Sequence, residues 1–145
     1  MNYVLDTNIL LHILRGTEIG IKVVKIEEQD NNPTLIISIV TKAEILSIAS
    51  QRKWGSKKIS SLSKLLKNLL IIPIDNDELV KTYAEIDTFS QGKLEDKPLH
   101  MTSRNMGKND LWIAATARLT NAILLTTDND FNHLDPSYFK IDNLN

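Results

Sequence analysis

Apolar and polar positions along this chain switch period repeatedly. Tyr3-Val4-Leu5 is a short apolar run closed by Asp6, the pattern of a buried strand. Across residues 8–15 the apolar positions recur at helical spacing, and Gly16 stands where a terminator belongs. Residues 18–29 predict a second short helix, and Asp30-Asn31-Asn32-Pro33 a turn. Leu35-Ile36-Ile37-Ser38-Ile39, rich in branched side chains, predicts a second buried strand. Thr41-Lys42-Ala43-Glu44 has capping-box spacing and predicts a helix running to about Gln51. An amphipathic helix over 56–69 precedes a strand over 70–74, whose Pro73 argues for an edge position or an early end. Residues 76–90 predict a helix and 91–109 a long polar loop. Next comes a helix over 110–120, with Asn109 as its cap. Strands are expected over 122–126 and 138–141.

Short apolar strands alternating with helices imply an α/β domain, a parallel sheet of four to five strands with helices on both faces. No repeat or linker interrupts residues 1–145, so one domain is expected. In such sheets ligands sit beyond the carboxyl ends of the strands.

Composition narrows the function. A hydrophobic share of 42% and a charged share of 24% are those of a globular domain. Lys plus Arg is 17 against 18 Asp plus Glu, net charge -1. That excludes a uniformly basic coat for nucleic acid but leaves room for a local patch. With no cysteine there is no disulfide, thiolate metal site, iron–sulfur cluster or cysteine nucleophile. No apolar run reaches the ~18 residues of a membrane span. The start lacks the basic region of a signal peptide, so the chain is expected to begin at Met1 and to stay in the cytoplasm.

Just beyond the strands the chain repeatedly carries an acid. Asp6 ends the first, Glu44 lies just inside the helix after the second, Asp110 opens the late helix, and Asp128 comes after the fourth strand with Asp130 two residues on. Each has a local explanation: a cap, a capping-box return, a helix-dipole partner, a turn former. Those explanations do not account for acids collecting at one edge. Two unit charges at ~4 Å repel by about 4 kcal/mol at an effective dielectric of 20, so such a cluster requires protons or a hard cation. Oxygen-only donors suit Mg²⁺ or Mn²⁺. One or two such ions would activate water and stabilise a phosphodiester transition state.

Asp6-Thr7-Asn8 after its strand, Glu44 in Thr-Lys-Ala-Glu-Ile-Leu, Asn109-Asp110-Leu111-Trp112-Ile113-Ala114-Ala115, and Thr126-Thr127-Asp128-Asn129-Asp130-Phe131 together resemble the signature segments of PIN-domain ribonucleases. In order and length they are most similar to VapC-type toxins of toxin–antitoxin pairs. The resemblance implies a PIN-like three-layer fold and Mg²⁺- or Mn²⁺-dependent cleavage of single-stranded RNA. It also implies an antitoxin partner and a homodimer. It carries metal-binding and catalytic roles onto Asp6, Glu44, Asp110 and Asp128, with Asp130 the alternative for the fourth place. Asn8, Thr126 and Thr127 become supports that orient the carboxylates. The 91–109 stretch is longer and more polar than that family's usual link.

Other residues are less pointed. Arg52, Lys53, Lys57, Lys58, Lys64 and Lys67 form an acid-free run around Trp54, either an RNA-backbone track or a solvated helix face. Lys108 and Arg104, ahead of Asp110, are within sequence reach of a phosphate, although loop solubility also explains them. His12, His100 and His133 lack metal-ligand spacing; His133 is a proton-transfer candidate by proximity to Asp130. Two rival functions remain: a non-catalytic nucleic-acid-binding module using the basic run 51–69, and a Mg²⁺-dependent phosphatase. Against the phosphatase, Asp6-Thr7-Asn8 lacks the Asp-x-Asp nucleophile pattern.

Overall fold

The branched apolar runs become five strands, β1 (Asn2–Leu5), β2 (Thr34–Ser38), β3 (Leu70–Ile72), β4 (Ile123–Thr126) and β5 (Ile141–Asn143). The helical patterns become α1 (Thr7–Arg15), α2 (Glu18–Gln29), α3 (Ile39–Gln51), α4 (Ser56–Lys67), α5 (Asp77–Ser90) and α6 (Lys108–Leu119). A short 3-10 helix spans Asn129–Leu134. This computed structural model describes residues 1–145.

All strand pairings are parallel, in the order β3-β2-β1-β4-β5. Parallel neighbours need crossover connections, which the helices supply. Period-two alternation sends Val4, Ile36 and Leu124 to one face, where Ile86, Phe89, Leu111, Ile113 and Phe131 cover them. Tyr3, Leu5, Ile37 and Leu125 face the other way, onto Ile9, Leu10, Val23, Ile45 and Leu62. The sheet is thus buried on both sides, as its near-continuous apolar strands demand.

Sequence reasoning misplaces several boundaries. Ile39 belongs to α3, not β2, because Ser38 Oγ accepts from Val40 N at 3.1 Å and caps the helix before Thr41 is reached. Thr41 is therefore not a cap and Glu44 is not the return half of a capping box. Asn109 does not cap α6: Gly107 holds that place, and Asn109 is exposed in the first turn. The last strand is Ile141–Asn143, while Tyr138 and Phe139 turn inward as core. Strand β3 stops at Ile72, immediately before Pro73, and lies at the sheet edge as its proline predicts.

Four helices end alike. Past α1, α3, α5 and α6, the residues Gly16, Lys53, Gly92 and Asn121 take φ of 64°, 52°, 73° and 50°. In each case the next amide reaches back to a carbonyl five residues earlier, as Trp54 N does to Ala49 O at 3.0 Å. Helices α1 and α2 are joined by such a turn and cross closely at Gly20, where a Cβ would stand 2.4 Å from the carbonyl oxygen of His12. No helix is long and apolar enough to cross a membrane.

Candidate metal centre

The chain builds β1, β2 and β3 outward on one side, then places β4 and β5 on the other side of β1. The switch point lies between β1 and β4. Asp6 leaves the first of these strands and Asp128 comes just after the second. The ladder continues one step beyond β1, Asp6 N donating to Leu125 O at 3.1 Å, which fixes the Asp6 backbone against β4.

Asp6 is only 5% exposed. Its Oδ1 accepts from Thr7 N at 2.7 Å, capping α1, and its Oδ2 accepts from Thr126 Oγ1 at 2.8 Å. The fully buried Thr126 hydroxyl also accepts from Asp128 N at 3.0 Å, so one side chain ties the first and fourth acids together. Thr7 Oγ1 donates to Glu44 Oε1 at 3.0 Å, tying α3 to the start of α1. Asp110 sits in the first turn of α6 beside Gly107, whose Cβ, if present, would lie 3.7 Å from Asp110 Oδ2. Asp128 caps the 3-10 helix, its Oδ1 accepting from Asp130 N at 2.9 Å. One carboxylate oxygen each from Asp110, Asp128 and Asp130 lies within 4.8 Å of the others. For two of the acids a local role and the convergence hold together: Asp128 caps the 3-10 helix and is a member of this cluster, and Asp6 caps α1 while its charge acts on Asp110.

The electrostatics fit this packing. Burial pushes the Asp6 carboxyl above its ordinary value, against the pull of the Thr126 and Thr7 bonds, and the charges of Asp128 and Glu44 add to the rise. Asp110 is pushed up to about 6, first by burial, then by Asp6, Asp128, Glu44 and Asp130. No basic side chain forms an ion pair with any of these acids; the one ion pair in the structure joins the N-terminal ammonium to Asp30. A group of carboxylates with no ion pair of its own, built from hard oxygen donors, fits a hard divalent cation.

The remaining candidates divide by place. Asn8 is exposed in the first turn of α1, and Thr127 is half-buried between Thr126 and Asp128. Lys108 is exposed and lines an open groove with Glu44, Gly107, Asn109 and Asp110. Arg52 and Lys53 lie at the other end of α3, about 12 Å along the helix axis from Glu44, and are exposed. Trp54 packs on the second core cluster, and Lys58 Nζ covers its ring at 4.3 Å from the centroid. His133 is buried, its Nε2 2.6 Å from Ser90 Oγ. Burial, with the charge of Arg104, pushes it down to about 4. It is a neutral core side chain rather than an open proton shuttle.

Sequence reasoning misses Thr7, which lies inside the Asp6-Thr7-Asn8 segment, and favours Asn8 in its place. It also undervalues Arg104, which is half-buried and donates from Nη1 to the carbonyl of Asp130 at 3.3 Å. Only its position ahead of Asp110 hints at this.

Known proteins are similar to this chain in sequence and in fold. Ribonuclease VapC1 of Haemophilus influenzae strain R2866 is 28% identical over 126 residues, 87% of this chain and 86% of that protein. The crystal structure of VapBC2 from Rickettsia felis, bound to a DNA fragment from its promoter, matches with a TM-score of 0.76 and 26% identity, covering 98% of each chain. VapBC-1 of nontypeable Haemophilus influenzae shares the fold at a TM-score of 0.73 and 24% identity, over 99% of this chain and 98% of that one. The family model described as PIN domain matches residues 3–136, nearly the whole chain, and with its five-stranded parallel sheet and acidic edge this protein belongs to the PIN-domain family.

Proposed function

We propose that this protein is a divalent-metal-dependent endoribonuclease of the VapC type, a single nuclease domain that cleaves phosphodiester bonds in single-stranded RNA as the toxin of a toxin–antitoxin pair. The observation that carries this is the gathering of Asp110, Asp128 and Asp130 carboxylate oxygens within 4.8 Å of one another, with Asp6 and Glu44 near enough for their charges to act on Asp110 and no ion pair to any of these acids. The ribonuclease names among its relatives support the RNA substrate, and the VapBC complexes support an antitoxin partner. Toxin, antitoxin and RNA would meet in the cytoplasm.

Asp110, Asp128 and Asp6 would hold Mg²⁺ or Mn²⁺, with Glu44 at the rim and Asp130 as the exposed alternative to Asp128. When bound, such a cation supplies Lewis-acid chemistry, neutralising charge on the phosphoryl oxygens and easing deprotonation of an attacking water. Thr7 N and Thr126 Oγ1 hold the Asp6 carboxylate by both oxygens, an orientation that would be kept toward a bound cation. The Thr7 bond holds Glu44 against the start of α1. Without metal, burial and the surrounding acids push the Asp110 carboxyl up to about 6. Lys108, at the rim, would meet the RNA backbone; Arg52 and Lys53 would reach only more distant nucleotides of the same strand.

The test is cleavage of a labelled single-stranded oligoribonucleotide with Mg²⁺, with EDTA, and by Asp6→Asn. Activity is expected only for the wild type with metal. Cleavage that survives EDTA, or an Asp6→Asn variant at full rate, overturns the mechanism. RNA binding that ignores metal and survives Asp110→Asn, without cleavage, would point instead to the non-catalytic module.

A further inference from the structure

Beside the acid cluster lies a second recess of about 260 Å³, lined by Thr102, Ser103, Arg104, Asn105, Gly107 and Asp130, with Met106 as its only apolar wall. It shares Asp130 with the cluster, and Gly107 abuts Asp110. Arg104 is the one cation in its lining. The guanidinium makes a single hydrogen bond, from Nη1 to the carbonyl of Asp130, and its Nε is buried without any acceptor. No carboxylate pairs with it. An arginine held half-buried with unused donors and no counter-ion is an incomplete arrangement, because buried charge is normally paired.

The backbone that carries it is fixed. Arg104 N donates to Ser90 O at 2.8 Å at the end of α5. Ser90 Oγ meets both His133 Nε2, at 2.6 Å, and Met106 Sδ, at 3.4 Å. The buried Ser90–His133 pair thereby joins the loop bearing Arg104 to the 3-10 helix bearing Asp130. A planar fork of donors on a pinned loop, facing a polar recess, matches a phosphate.

We propose that this recess seats a backbone phosphate of the RNA strand, next to the bond being cut, and that Arg104 is the group that binds it. The inference rests on the ribonuclease reading. Arg104 thus sets the strand's register on the acid cluster, and Thr102, Ser103 and Asn105 offer polar contacts around the same phosphate.

The experiment measures binding of a fluorescent single-stranded oligoribonucleotide by anisotropy, across KCl concentrations, with Ca²⁺ replacing Mg²⁺. It compares wild type, Arg104→Gln and Arg104→Lys, and steady-state cleavage with Mg²⁺ is monitored in parallel. Glutamine keeps a donor for the Asp130 carbonyl and removes only the charge, so the melting temperature should hold. We expect Arg104→Gln to bind about tenfold more weakly, and its plot of log affinity against log salt to flatten by about 0.7. KM should rise more than kcat falls, and Arg104→Lys should recover the slope but only part of the affinity. Affinity and slope unchanged in Arg104→Gln overturn the assignment while wild-type cleavage persists, leaving the nuclease reading intact. A wild type that neither binds nor cleaves RNA overturns both. A lowered melting temperature with an unchanged slope assigns Arg104 to holding the loop, and overturns the proposal as well.

Discussion

At the scale of single residues, the site turns on hydroxyls as much as on acids. Thr126 donates to Asp6 and accepts from the Asp128 amide, so Thr126→Val, nearly the same shape, removes both bonds while leaving every carboxylate. Divalent-ion affinity should fall ten- to a hundred-fold, read by calorimetric titration with Mn²⁺; an unchanged affinity would mean that the acids need no such support. Asp110 makes a second prediction. Its carboxyl, raised from 3.8 to about 6, holds its proton more tightly in the folded than in the unfolded chain. Near pH 4 and below, the group is protonated in the folded state and the penalty vanishes. As pH rises through 6 it ionises among other acids, and metal-free stability is lost. Asp110→Asn should therefore be more stable than wild type in EDTA at pH 7, by about 1–2 kcal/mol once partial exposure is discounted. The gap should close near pH 4, as urea unfolding at the two pH values will measure. The acids are legible in the sequence because each ends a recognisable strand, succeeds one or opens a recognisable helix. Thr7 and Arg104 are not, because their partners lie 37 and 26 residues away and only the folded chain brings them together.

At the scale of elements, the helices show where pattern informs and where it misleads. Gly20 lets α2 press its backbone against α1, and an added methyl would meet the His12 carbonyl at 2.4 Å. Gly20→Ala raises intrinsic helix propensity yet should destabilise by roughly 1–3 kcal/mol, visible as a lowered urea midpoint. A stabilised variant would mean that the helices part easily. Lys53 is the reverse case, a side chain in left-handed backbone at φ 52° where glycine is at ease. Lys53→Gly should gain about 0.5–1 kcal/mol. Its RNA affinity, measured alongside, tests whether the far end of the basic run touches substrate. Helix interiors are readable from their 3.6-residue period, but starts are not. At Ser38 the branched run continues into Ile39 and Val40, so nothing local separates the last strand residue from the first helical one. The cap is set by where the backbone turns off the sheet.

At the scale of the whole molecule, strand order decides what the acids become. Period-two strands and period-3.6 helices announce a parallel sheet, but the order β3-β2-β1-β4-β5 depends on which edges pair, and pairing is a long-range outcome that no window of sequence contains. Only that order puts β1 beside β4, and so Asp6 beside Asp128, with α6 delivering Asp110 above them. No ion pair offsets this collected charge, so the metal-free fold carries the repulsion and a bound dication would relieve it. Binding to the folded state alone stabilises by about 2.7 kcal/mol when free ion is a hundred times its dissociation constant. For a chain of this length that is a rise of roughly 5–10 °C in melting temperature. We expect this rise with Mn²⁺ at pH 7, abolished by EDTA and by Asp6→Asn. It should be much smaller at about pH 4.5, where protons compete at Asp110. Asp128→Asn should cancel more of the rise than Asp130→Asn, because Asp128 is tied through Thr126 to Asp6 whereas Asp130 is exposed at the rim. Equal losses would make the two acids interchangeable. A melting temperature indifferent to Mn²⁺ in every variant would mean that the sheet edge tolerates its charges unaided, and the metal centre would fall with that result.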